Sequence, residues 1–197
     1  MSRIVFMGNR HPLSLAVCEW LSGDGDEVVW NTNDGRRLPS EGVLRRLKPD
    51  VGVSVLYTHI LSPAVISAFP RGIVNLHPSL LPYNRGVHPV FWAVVDGLPA
   101  GVTLHYIDEG VDTGDIVAQK HVEYTDDDVC RDIYNRCMQE GYWLVVRHWR
   151  DVADGCARRV AQSHRKATLH RRNELPDSES WFDMTVRQIR HECKKRR

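Results

Sequence analysis

The chain has 197 residues, 42% of them hydrophobic, enough for one substantial core and too few for two ordinary domains. Its 26 Lys plus Arg against 25 Asp plus Glu lack the imbalance of a nucleic-acid coat or a membrane-surface binder, so neither kind of partner is expected. No apolar leader precedes the first expected strand and no run is long enough to span a bilayer, which leads to the expectation of a soluble, cytoplasmic protein.

Residues 3–7 read as a buried strand closed by Gly8. Apolar residues at helical spacing (Leu13, Ala16, Val17, Trp20, Leu21) predict a helix over 13–21 that ends at Gly23. A strand over 27–30, a helix over 40–47 and a valine-rich strand over 51–56 follow. Pro63 suits a first helical turn and opens a short helix to about Phe69. A fourth strand covers 73–76 and a further helix 89–95. This alternation predicts an α/β, Rossmann-like, mostly parallel sheet with helices on both faces. After Gly97, two strands over 102–107 and 116–122 flank a Gly/Asp-rich loop. A long helix over 126–152 carries Val129, Ile133, Cys137, Tyr142, Val145 and Trp149 along one face. The expected organisation is a catalytic domain over 1–157 and a short basic C-terminal extension over 158–197, with a last helix from 180 to about 193. The five cysteines (Cys18, Cys130, Cys137, Cys156, Cys193) form no CxxC pair, so reduced thiols and no metal are expected.

The most informative stretch runs from Gly72 through Asn75 and His77 to Pro82. Side chains of a strand alternate, so Asn75 and His77 share a face, and Pro78 and Pro82 turn the chain out into a loop. A second segment, Asp108 to Gly114, brings Asp112 between glycines. An uncharged donor, a titratable ring and a carboxylate suffice to attack a carbonyl and move protons around it. Singly, each has a plainer reading: a hydrogen-bonded strand-end histidine, a loop-capping asparagine, a turn-stabilising aspartate. Strand ends of open α/β sheets are where ligands bind.

Together, the segment from Asn75 to Pro82 and the later one from Asp108 to Ile116 resemble the 10-formyltetrahydrofolate-dependent formyltransferases. That group includes glycinamide ribonucleotide transformylase, methionyl-tRNA formyltransferase and the nucleotide-sugar N-formyltransferases. The resemblance covers residues 1–155, most densely 72–122. It implies N10-formyltetrahydrofolate as formyl donor and Asn75, His77 and Asp112 as catalytic residues. Asn75 and a protonated His77 would donate to the formyl oxygen, and Asp112 would orient the ring and favour its cationic form. His105 is read as a wall of the site. The run Leu56 to Pro63 resembles the family's pterin-binding loop, which implies folate contacts from His59, Ile60 and Leu61, with Val111 opposite; an ordinary strand-to-helix connection is the plainer reading.

The acceptor is left open by the family. The Gly8-Asn9-Arg10-His11-Pro12 turn lacks the second glycine and the Ser-Asn pair of the glycinamide ribonucleotide enzymes. The roughly forty residues after the catalytic region are fewer than the methionyl-tRNA enzymes use to grip tRNA. Residues 81–92 and 99–110 are closest to the nucleotide-sugar branch, which implies an amino-sugar acceptor of the dTDP-4-amino-4,6-dideoxyhexose type. There Arg85 would meet a pyrophosphate, and Tyr83 or Trp92 would stack on a base or sugar; packing inward is the plainer reading of Trp92. Thr168 to Arg171 resembles a stretch where that branch contacts nucleotide. The short C-terminal region leaves a homodimer and the nucleotide itself open. A different small amine, water as formyl acceptor, or binding without turnover are the alternatives.

Overall fold

The computed structural model describes residues 1–176 and 179–196; Arg197, which closes the basic run at the C-terminus, lies outside the described residues. Four strands, β1 (Arg3–Met7), β2 (Glu27–Asn31), β3 (Val51–Val55) and β4 (Ile73–His77), alternate with α1 (Pro12–Gly23), α2 (Glu41–Leu47) and α3 (Pro63–Ile66). A two-residue strand β5 (Arg85–Gly86) and α4 (Pro89–Asp96) lead to β6 (Ala100–Tyr106), β7 (Ile116–Val122) and the long α5 (Cys130–Ala153). The C-terminal part adds β8 (Leu169–His170) and α6 (Val186–Arg196). The main sheet has the order β2-β1-β3-β4-β6-β7. Pairings from β2 to β4 are parallel, as crossover helices require, whereas β4–β6 and β6–β7 are antiparallel. The sheet is thus mixed and mostly parallel, as the alternation predicts.

Local chemistry sets the helix ends. His11 caps α1 by accepting from the Leu13 amide through Nδ1 at 3.2 Å, and Pro12 opens the first turn. Within α2, Arg45 pairs with Glu41 one turn earlier at 2.6 Å, and Lys48 closes the helix at φ +48°. α5 begins at Cys130 rather than at residue 126. The carbonyls of Asp126 and Asp128 accept from the Arg187 and Val186 amides at the start of α6, and such docking needs non-helical backbone. Likewise the last helix starts at Val186 and not at 180. Thr185 and Gln188 exchange hydrogen bonds there, Thr185 amide to Gln188 Oε1 at 2.8 Å and Gln188 amide to Thr185 Oγ1 at 3.3 Å, a capping box.

Each face of the sheet has its own apolar cluster. On one face Ile4, Phe6, Val53, Val74, Leu76 and Leu104 pack under α1, α4 and α5. Helix α5 approaches closely at Gly141, where a Cβ would lie 2.7 Å from Leu76 Cδ2. Trp181, Val186 and Ile189 are buried in this same cluster, so residues after 157 share the core of those before it. On the other face Val5, Met7, Leu44, Phe69 and Ile73 form a smaller cluster. Among the described residues no helix is long and apolar enough to cross a membrane. Among the described residues no two cysteines form a disulfide, and burial pushes the Cys130 and Cys137 thiols up to about 12.

Candidate active site

The smaller cluster reaches β4 only at Ile73; the next positions on that face are Asn75 and His77. In the β4–β6 register Asn75 stands opposite His105 and His77 opposite Thr103, and directly opposed residues share a face. The sheet therefore presents four polar side chains together. Asn75 Nδ2 lies 3.1 Å from His105 Nε2. His105 Nδ1 faces the Tyr106 carbonyl at 2.8 Å, and a carbonyl only accepts, so the neutral ring carries its proton on Nδ1 and receives Asn75 on Nε2. Thr103 donates to the Ser79 carbonyl at 2.6 Å and accepts from the Leu81 amide at 3.1 Å, holding the loop that leaves β4.

Asp112 enters from the β6–β7 loop with φ +51°, the left-handed region that side chains other than glycine rarely occupy. The turn closes against the sheet at Gly114, where a Cβ would meet the Tyr106 carbonyl oxygen at 2.1 Å. The carboxylate is held from β5, because the Gly86 amide donates to Oδ2 at 2.9 Å. Oδ2 lies 3.6 Å from His77 Nδ1, and Oδ1 lies 3.5 Å from His105 Nε2. His77 turns its other nitrogen, Nε2, to the Asn84 carbonyl at 2.9 Å.

Burial acts to raise the Asp112 carboxyl, but His77, His105 and the Gly86 amide outweigh it and hold the group well below the usual carboxylate range. For His77, burial lowers the ring and exceeds the opposing pull of Asp112 and the Asn84 carbonyl, so its pKa falls below 6.5. Burial thus opposes the cationic ring that the resemblance implies. A nearly fully buried imidazole loses more hydration than one carboxylate at 3.6 Å returns. The neutral ring keeps its proton on Nε2, against the Asn84 carbonyl, with Nδ1 on the side of Asp112.

A cleft of about 240 Å³ opens beyond the carboxyl ends of β1 to β3, lined in part by Gly8, Asn9, Arg10, Arg36, Tyr57 and His59. The expected folate loop forms part of this wall. Ile60 is 90% exposed and Val111 47% exposed, while Leu61 packs partly into the smaller cluster. Among the described residues no backbone hydrogen bond engages the amides of His59, Ile60 or Leu61.

The expected substrate residues stand differently. Tyr83 is half-buried, its carbonyl accepting from Ser79 Oγ at 2.8 Å. Arg85 is only 6% exposed, and both Nε and Nη2 donate to Gln162 Oε1, at 3.2 and 2.7 Å. Trp92 stacks on His170 with ring centroids 4.0 Å apart and planes 6° from parallel, so one face of its ring is already covered. Thr168 likewise turns inward, accepting from the Asn84 amide at 2.7 Å. Sequence reasoning missed three members of the site. His105 accepts from Asn75 and lies 3.5 Å from Asp112 Oδ1 rather than forming a plain wall, and its signal was its place two residues after Thr103 on a strand facing β4. Asn84 and Gln162 act through backbone and amide contacts that leave no motif.

Comparison with known proteins finds relatives among both curated sequences and solved structures. A methionyl-tRNA formyltransferase from Desulforamulus reducens is 34% identical over 137 residues, 67% of this chain and 43% of that protein. The chain thus spans less than half the length of the curated relatives it matches first. Among solved structures, the formyltransferase PseJ from Anoxybacillus kamchatkensis, in complex with UDP-4,6-dideoxy-4-formamido-L-AltNAc and tetrahydrofolate, is 27% identical. The match covers 95% of this chain and 97% of that one, with a TM-score of 0.78. The N-formyltransferase from Helicobacter canadensis, bound to folinic acid and dTDP-3-aminofucose, shares the fold at 18% identity, over 96% and 79% of the two chains, with a TM-score of 0.77. The formyl transferase family model matches residues 29–148, and the chain belongs to that family.

Proposed function

We propose that this chain transfers the formyl group of N10-formyltetrahydrofolate to the primary amine of an amino sugar carried on a nucleotide. The observation that carries the reaction is the cluster formed by Asn75, His77, His105 and Asp112, with Asp112 Oδ2 3.6 Å from His77 Nδ1 and Asn75 Nδ2 3.1 Å from His105 Nε2. The acceptor class is supported by the likeness to a formyltransferase complexed with a UDP-linked formamido sugar, which extends over nearly the whole of both chains.

The residues present suit the donor. Exposed apolar side chains at Ile60 and Val111 offer surface for a flat ring, and the unengaged amides of 59–61 offer donors to its heteroatoms. In the reaction the amine nitrogen bonds to the formyl carbon and negative charge gathers on the formyl oxygen. Asn75 spends one amide hydrogen on His105 and has the second for that oxygen, a contact of the kind that contributes about 10²–10³ in rate. The nitrogen, now cationic, loses a proton to neutral His77 at Nδ1, directly or through water, and the Asp112 carboxylate stabilises the imidazolium. When the carbon–nitrogen bond to the folate breaks, His77 returns that proton to the leaving nitrogen. The products are a formamide and tetrahydrofolate.

A second acceptor class, a methionyl-tRNA, is favoured by the 34% identity to curated enzymes of that name. Incubation with N10-formyltetrahydrofolate and a panel of UDP- and dTDP-linked amino sugars, with methionyl-tRNA in a parallel arm, decides between them. Mass spectrometry is expected to find a sugar nucleotide heavier by one formyl group. Formylation of the tRNA alone would overturn the amino-sugar reading.

A further inference from the structure

Gln162 lies beyond the residues matched by the family model, on the segment that follows α5, and is 8% exposed. Its amide makes four hydrogen bonds. Oε1 accepts from Arg85 Nε at 3.2 Å and Nη2 at 2.7 Å, and Nε2 donates to the backbone carbonyls of Asp112 at 2.9 Å and Gly114 at 2.7 Å. A guanidinium only donates and a carbonyl only accepts, so the partners fix which end of the amide is oxygen. One side chain thus ties β5, whose Gly86 amide grips the Asp112 carboxylate, to the backbone of the residue bearing that carboxylate. The same segment is pinned on both sides of Gln162. Val160 exchanges backbone hydrogen bonds with Ile116 at 3.0 and 2.8 Å, and β8 pairs with β5.

We propose that Gln162 is a positioning residue for formyl transfer: it clamps the Asp112 loop in its left-handed turn against Arg85, and so sets the distance between Asp112 and His77. The claim rests on the formyltransferase reading for its catalytic consequence, but not for its structural one. Asp112 sits at φ +51°, a conformation a non-glycine residue keeps only when its surroundings hold it there. Two of the acceptors that hold it are the carbonyls on either side of Thr113, and both are met by this one amide. Arg85 then has a task other than phosphate binding. Its buried guanidinium orients Gln162; burial lowers its pKa, and the carboxylates of Asp112 and Asp108 oppose that in part.

The test uses the full chain with Gln162→Met, which keeps volume and removes the hydrogen bonds, and Gln162→Asn, one methylene too short to reach both partners. The primary readout is the His77 ring titration followed by nuclear magnetic resonance, which needs no substrate. Release of the loop moves Asp112 away, so the His77 pKa is expected to fall by at least about half a unit in both variants. With the accepted amine, kcat is expected to drop about 10- to 100-fold while the KM for the formyl donor stays within about threefold. An unchanged His77 titration in whichever variant folds would overturn the proposal. If the unaltered protein formylates no amine, the formyltransferase reading fails, and the titration still decides the role of Gln162.

Discussion

His77 Nε2 lies 2.9 Å from the Asn84 carbonyl oxygen, and this contact decides which nitrogen of the neutral ring carries the proton. A carbonyl only accepts, so the proton of the neutral ring sits on Nε2 and the free lone pair is on Nδ1, on the side of Asp112. Asn84 is itself buried at φ +54° and donates its backbone amide to Thr168 Oγ1. The tautomer of a strand-end histidine is therefore set by a turn seven residues later and by the C-terminal segment.

Replacing Asp112 by Asn keeps the shape and removes the charge that stabilises protonated His77. We expect kcat to fall about 10²–10⁴-fold with little change in folate affinity, read by steady-state kinetics and by fluorescence titration with tetrahydrofolate. Activity within about threefold of the parent would discard the proton path.

Acid should weaken the fold in two steps. The His77 pKa is lowered on folding from 6.5, so the unfolded chain binds the extra proton first, and stability present above pH 6.5 is lost as the pH falls toward the folded value. Asp112 is lowered from 3.8, so its contribution holds above that pH and is lost on further acidification. Melting temperatures measured across pH 4 to 8 should slope downward below about 6.5. In His77→Gln that first slope should flatten; an identical slope would assign it to another group.

Gly114→Ala places a methyl group 2.1 Å from the Tyr106 carbonyl oxygen, and backbone cannot yield there without moving the loop that bears Asp112. Turnover should drop about 10²-fold while the circular dichroism spectrum is retained. Near-full activity would mean that the turn has more freedom than its packing implies.

Far from the cleft, Asp26 joins three parts of the molecule. Its carboxylate accepts from the Ser2 amide at 2.6 Å and from Trp149 Nε1 at 2.8 Å, and pairs with Arg150 at 3.3 Å. Asp26→Ala leaves two buried donors unmet and should cost about 2–4 kcal/mol, or roughly 5–15 °C in melting temperature. Catalysis by the folded fraction should be unchanged, and a shift below about 2 °C would show that the contacts carry little.

The sequence by itself determined most of the elements up to α4 and the pairing of two candidate site residues within one strand. Helical and strand periodicities are local, so the alternation up to α4 and the shared face of Asn75 and His77 follow from residue spacing alone. Asp112 was reached through family resemblance, which carries information that spacing lacks. Only the tertiary structure decided what depends on non-local pairing and burial. The antiparallel register puts His105 opposite Asn75, and a one-residue slip would have turned it to the other face. The return of the C-terminal segment beside β5 hands Arg85 to Gln162 and Trp92 to His170, so two side chains that look suited to a nucleotide on paper have protein partners. The protonation of His77 was beyond the sequence for the same reason, since hydration lost on burial has no counterpart in residue order.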